Sequence, residues 1–173
     1  MNRKLKMERL LELVASLSRP GTDKVVKFIK ESDFSSKHGG DTHHKYPGGL
    51  VDHSLEVYEN MKVKAEGLGI SEETIIICSI FHDLGKLIVH KGHAGQSLAI
   101  LDNFGFELTE EERMAIGSHH HPDVTVLELN TLSSILMRSD GLSTGLWKKA
   151  HPKPGMSAFD KLKNDALLKF CKR

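Results

Sequence analysis

The sequence predicts an all-α fold, a bundle of about seven or eight helices. Apolar residues recur at spacings of three and four, helix-start and helix-stop residues bracket those stretches, and no segment shows clean alternation of period two. No internal repeat is visible. With 173 residues, 39% of them hydrophobic, the chain has enough material for one well-buried core and little for two, so a single domain over 1–173 is expected.

Each element follows from local chemistry. Leu5, Leu10, Leu13, Val14 and Leu17 form one apolar stripe, stopped by Arg19-Pro20. Thr22 is placed to cap a second short helix carrying Val25, Val26 and Ile29. Residues 32 to 49 turn to Ser, Gly, His and Lys with few apolar anchors, which reads as a long loop, a feature often functional in a small domain. Helical spacing resumes over 50 to 66 with Leu50, Val57 and Met61, and Gly67 and Gly69 end it. Ser71 followed by Glu72 and Glu73 is a capped start leading into TIIICSIF. That apolar run alone is compatible with a buried strand; the acidic start decides for a buried helix. Further helices are expected over 93–103, over 109–118 behind the capping box Thr109-Glu110-Glu111-Glu112, over 131–147 and over 157–172.

Composition removes several functional classes. Lys plus Arg number 24 and Asp plus Glu 23, so the strong basic bias of a protein living on phosphate backbones is absent and stable duplex binding is not expected. No apolar run approaches the roughly 20 residues of a membrane helix, and charges interrupt the apolar positions of MNRKLKMERLLELVAS, so a cytoplasmic protein without membrane attachment is expected. Cys78 and Cys171 have neither metal-type pairing nor a disulfide pattern and read as free thiols. The unusual count is eleven histidines, most of them between His38 and His121. Imidazole is a favoured transition-metal ligand and titrates near neutrality, so function is to be sought there.

Candidate ligands are His53 in GGLVDHS, His82 and Asp83 in FHDLGK, His93 in KGHAGQS, the run His119 to His121 in GSHHHPD, and Asp140 in LMRSDGLS. Adjacent His82 and Asp83 diverge on a regular helix, and they meet one ion only if the helix ends there, for which Gly85 offers a reason. At most two of the three consecutive histidines can share a site; His119 comes first and His120 next. Asp140 follows the apolar Ile135, Leu136 and Met137, where an unpaired carboxylate is costly. Mixed imidazole and carboxylate ligands suit Mn2+, Fe2+, Zn2+, Ni2+ or Co2+, whereas Mg2+ prefers mostly oxygen. Lys86, one helical turn after His82, is a point cation able to offset phosphate charge. His43, His44 and Lys91 flank the region as candidates for phosphate contact or leaving-group protonation. His38, His90 and His151 are expected to face solvent.

Over roughly 43–142, His53, the His82-Asp83 pair within HDLGK and the distant Asp140 resemble the H…HD…D signature of the HD-domain metal-dependent phosphohydrolases, an all-helical superfamily. The resemblance implies that His53, His82, Asp83 and Asp140 bind a first metal, with the helices of 1–31 and 157–172 packed on that region. His93 and His119 resemble the added histidines of binuclear members, which include diadenosine tetraphosphate hydrolases and HD-class 3′-to-5′ exoribonucleases. They would hold a second ion, with Asp83 bridging. The GYP element of cyclic-di-GMP phosphodiesterases and the accessory nucleic-acid domain of the exoribonucleases are missing, which points to a small, soluble substrate.

The expected activity is metal-dependent hydrolysis of a phosphoester or phosphoanhydride of a small nucleotide, with Asp83 and Lys86 as catalytic residues. The rival readings are an exonuclease trimming single-stranded ends, disfavoured by near-zero net charge, and a non-catalytic nucleotide or metal sensor. Self-association into a homo-oligomer is left open.

Overall fold

The computed structural model describes residues 2–120 and 131–150, the last five of these by backbone alone. Among them every regular element is helical: α1 (Arg3–Ala15), α2 (Thr22–Glu31), α3 (Gly49–Ala65), α4 (Glu72–Phe81), a 3-10 turn (Leu84–Leu87), α5 (His93–Asn103), α6 (Glu110–Ser118) and α7 (Thr131–Ala150). The expected helix over 157–172, together with His121, His151 and Cys171, lies outside the described residues. No helix among the described residues is long and apolar enough to cross a membrane.

Helix α4 explains the rest of the packing. All residues from Ile75 to Phe81 are buried, so it is apolar around its whole circumference and must be enclosed. Helices α3, α6 and α1 pack around it, while α7 lies along α3 and α6, and α5 lies against α6 and the 3-10 turn. Leu10, Val14, Ile29, Leu50, Met61, Ile77, Phe81, Leu101, Ile116 and Leu136 form one continuous core. The helical reading of TIIICSIF thus holds, and its start is as expected: the Ser71 hydroxyl accepts from the Thr74 amide. The capping box at α6 also forms, Thr109 accepting from Glu112 N–H and Glu112 accepting from Thr109 N–H.

Two local expectations are corrected. Thr22 is the first residue of α2 and not its cap; Gly21, in the left-handed region at φ 82°, holds that position. The Thr22 hydroxyl instead donates back to the Arg19 carbonyl at 2.7 Å. Glycine is required at 21 because a Cβ there would lie 2.8 Å from the Phe104 carbonyl oxygen. Gly85 likewise does not end α4 by a left-handed turn. It lies inside the 3-10 turn, where a Cβ would sit 2.1 Å from the His93 carbonyl oxygen, and its absence lets α5 approach.

At the N-terminal end of α4, Arg19 ties the α1–α2 turn to α4 and α6. Its guanidinium donates to Glu73 at 2.9 Å, to both oxygens of fully buried Glu112 at 3.1 and 3.2 Å, and to the Glu107 carbonyl. Glu112 also accepts from Thr74 Oγ1 at 2.9 Å.

A candidate metal centre

Five helices deliver the candidate ligands. His53 projects from α3, His82 stands at the C-cap of α4 with Asp83 beside it, His93 opens α5, His119 is the C-cap of α6 and Asp140 belongs to α7. All six are buried. The divergence of His82 and Asp83 is resolved by the change from α-helix to 3-10 turn between them. That junction is held by Ser97 of α5, whose hydroxyl accepts from the Gly85 amide at 2.8 Å and donates to the His82 carbonyl at 2.9 Å.

Asp83 is the centre of the cluster. Its Oδ2 lies 3.3 Å from His53 Nε2 and 3.4 Å from His82 Nε2, and its Oδ1 lies 3.1 Å from His93 Nε2 and 3.7 Å from His119 Nε2. Asp140 Oδ1 is 3.1 Å from His53 Nε2. The ligand atoms fall into three overlapping sets within 4.8 Å: His53, His82 and Asp83; Asp83, His93, His119 and His120; and His43, His44 and His53. His120 is exposed at the rim, with its ring 4.8 Å from that of His93.

Each buried ring is fixed from behind. The Nδ1–H of His82, His93 and His119 donates to the carbonyl three residues earlier, Ser79, His90 and Ile116, at 3.0, 2.9 and 2.7 Å. His53 is held through a side-chain chain. The Ser143 hydroxyl donates to Glu56 Oε2 at 2.8 Å, and its oxygen therefore accepts from His53 Nδ1 at 3.1 Å. In all four rings Nε2 is turned inward, and these four nitrogens and Asp83 Oδ1 are buried with no hydrogen-bond partner. Buried polar atoms left bare are costly, and converging bare imidazole nitrogens around carboxylates are the donor set a divalent transition-metal ion takes. The residues fit a metal.

The electrostatics agree. Burial raises the Asp83 carboxyl, but His82 and Lys86 outweigh it and hold the group well below its usual range. Asp140 is lowered in the same way, burial being outweighed by His53. Burial lowers His53, yet Asp140 and Asp83 push it up to about 9. His119 goes the other way, lowered by burial against the pull of Asp83. The two carboxylates thus stay ionised in a buried pocket because Lys86 and the His53 imidazolium stand beside them.

The long loop reaches the centre as well. Lys86 is buried, donating to Asp83 Oδ2 at 2.6 Å and to the Gly39 carbonyl at 2.7 Å. His44, at φ 46°, is fully buried; its Nε2 bonds Glu56 Oε2 at 3.1 Å and its Nδ1 meets His43 Nδ1 at 3.0 Å. The His43 ring lies 4.9 Å from that of His53, tilted by 51°, and burial with the nearby His53 lowers it to about 3. Lys91 is exposed in the turn before α5, as are His38 and His90 on their segments. Glu56, Ser97 and Ser143 were not expected from sequence. Glu56 follows His53, and Ser143 follows Asp140, by three residues, and that one-turn spacing is the signal that finds them.

Helices that converge buried histidines on shared carboxylates build a centre fit for a divalent metal ion. The chain belongs to the HD-domain family, whose model matches residues 50–145 and whose members are in general metal-dependent phosphohydrolases. Over 78 residues it is 33% identical to Ribonuclease Y of Protochlamydia amoebophila (strain UWE25), a stretch taking in 44% of this chain and 15% of that protein. No solved structure matches the chain.

Proposed function

We propose that the protein hydrolyses a phosphoester or phosphoanhydride bond of a small nucleotide, using two divalent transition-metal ions that share Asp83. The observation that carries this reading is the division of Asp83: one oxygen faces His53 and His82, the other His93 and His119, and all four imidazole nitrogens are otherwise bare. Bound there, such ions supply Lewis acidity that activates water and offsets charge on phosphoryl oxygens. Asp140 completes the first set of ligands and His120, at the rim, extends the second. Lys86 orients Asp83 and holds Gly39 of the loop against the centre, with its remaining N–H for a phosphate oxygen. His43, whose Nδ1 is engaged by His44, keeps Nε2 for contact with substrate or leaving group. A cytoplasmic location fits the same reading.

The test is a panel of nucleoside mono-, di- and triphosphates, dinucleoside polyphosphates, cyclic nucleotides and short single strands, assayed with Mn2+, alongside elemental analysis of the purified protein. Release of phosphate or nucleotide from a small substrate, with about two metal equivalents bound, is the expected result. Absence of Mn, Fe, Co, Ni and Zn, with no activity on adding any of them, refutes it. A second reading, trimming of single-stranded ends, is favoured by the likeness to a protein named a ribonuclease; selective turnover of the strands in that panel would establish it.

A further inference from the structure

Beside the metal centre, the loop and the end of the 3-10 turn enclose a second cavity of about 400 Å3 whose wall includes Lys37, Lys45 and Lys86. Two carboxylates also face it, but each is engaged: Asp33 with Lys37 at 3.4 Å and Asp41 with His90 at 2.6 Å. His90 holds the Asp41 carboxyl below its ordinary range, so this acid is a committed partner. Lys45 also acts on Asp41, more weakly than His90 does, and Lys45, His38 and the third N–H of Lys86 make no side-chain hydrogen bond among the described residues.

The cavity and the centre share two pieces of wall. Lys86 lines it while its ammonium lies 2.6 Å from Asp83. Gly40 lines it too, and a Cβ on Gly40 would lie 2.5 Å from His43 Nε2, on the ring that packs beside His53. None of its lining residues is Phe, Tyr or Trp, and the rings it offers a base are the small imidazoles of His38 and His90. Its size falls in the range of small-ligand sites, and lysine tips are point cations suited to phosphate.

We propose that this cavity seats a second phosphate of the substrate, next to the one cleaved at the metal centre, with Lys45 and His38 contacting it and Lys86 shared between the two positions. This rests on the phosphohydrolase reading and narrows it: the substrate carries at least two neighbouring phosphates, as a polyphosphate chain or as successive phosphodiesters.

The test is calorimetric titration of the purified protein, at low salt, with inorganic pyrophosphate and with inorganic phosphate. Parent, Lys45→Glu and Lys45→Arg are compared, with metal content read on each. Lys45 is exposed, so all three fold alike, and circular dichroism checks it. Pyrophosphate is expected to bind the parent more tightly than phosphate, and Lys45→Glu to weaken pyrophosphate about tenfold and phosphate much less, with Lys45→Arg restoring it. Unchanged pyrophosphate binding in Lys45→Glu, or equal losses for both anions, overturns the proposal. The same titration with adenosine diphosphate and with a triadenylate, which carries two successive phosphodiesters, distinguishes a polyphosphate from a strand, by which of them depends on Lys45; dependence of neither also overturns it. Lys45-dependent pyrophosphate binding in a protein that hydrolyses nothing in the panel would instead refute the enzymatic reading and leave the subsite standing.

Discussion

Two buried charged clusters stand at the two ends of α4, and they are built on opposite principles. Around Glu112, every carboxylate oxygen is used: Oε1 by Arg19 and Thr74, Oε2 by Arg19 and the Thr109 amide. Around Asp83, four imidazole nitrogens and a carboxylate oxygen are buried with no partner, although each ring is fixed by its other nitrogen. A cluster that saturates its own donors and acceptors joins helices. One that orients lone pairs and leaves them bare is prepared for a ligand.

The sharpest way to break that contrast is Asp83→Asn, which keeps the shape and removes the charge facing both histidine sets. Hydrolysis is expected to fall by about a thousandfold or more and the metal content to drop, with the helical circular dichroism kept. Activity within tenfold of the parent would end the assignment. Next, Glu112→Ala strips Arg19 of its buried partner and is expected to cost roughly 2 to 4 kcal/mol of stability in urea unfolding, the lower end reflecting the partial access of Arg19 to water. Metal content should stay at the parent value in this variant; if it falls, the two clusters are not independent.

Ser143→Ala sharpens the comparison, because it frees His53 Nδ1 without touching a ligand atom. A loss of about 10- to 100-fold in metal affinity is expected from a competition titration with a chelating dye, and no loss would mean that the orientation of His53 does not depend on that chain. The same affinity is expected to depend on pH. In the metal-free protein His53 lies near 9, so a proton competes for its Nε2. Metal affinity is expected to rise with pH by up to about tenfold per unit and to level off above about 9. The same raised value gives the metal-free fold stability that is complete below the ordinary imidazole range and is lost as pH rises through about 9, which thermal melts in chelator will register. A flat metal affinity between pH 6 and 9 would place the bound proton elsewhere.

Much of this was legible in the chain. Ser71 and Thr109 announce α4 and α6 because a cap is a local interaction, closed within one turn of sequence. The HD pair, His53 and Asp140 stand out as chemical types in short motifs. What could not be read is what depends on a neighbour arriving from elsewhere. Gly85 looks like a helix terminator until α5 is seen to need its missing side chain. Lys86 looks like a free cation for substrate, and only the folded loop shows two of its protons already committed to Asp83 and Gly39. Thr22 and Gly21 differ by one position, where a local conformational preference was outweighed by the close passage of Phe104.

The Ser97 hydroxyl carries a consequence for how the site comes apart. It clamps the Gly85 amide and the His82 carbonyl from the same helix that presents His93. Local opening of α5 therefore withdraws His93 and releases the His82–Asp83 junction in one event, so ligands of both sets loosen as a single cooperative unit. In native-state hydrogen exchange the Gly85 amide should share its opening free energy with the amides of α5, and a bound ion should slow all of them together.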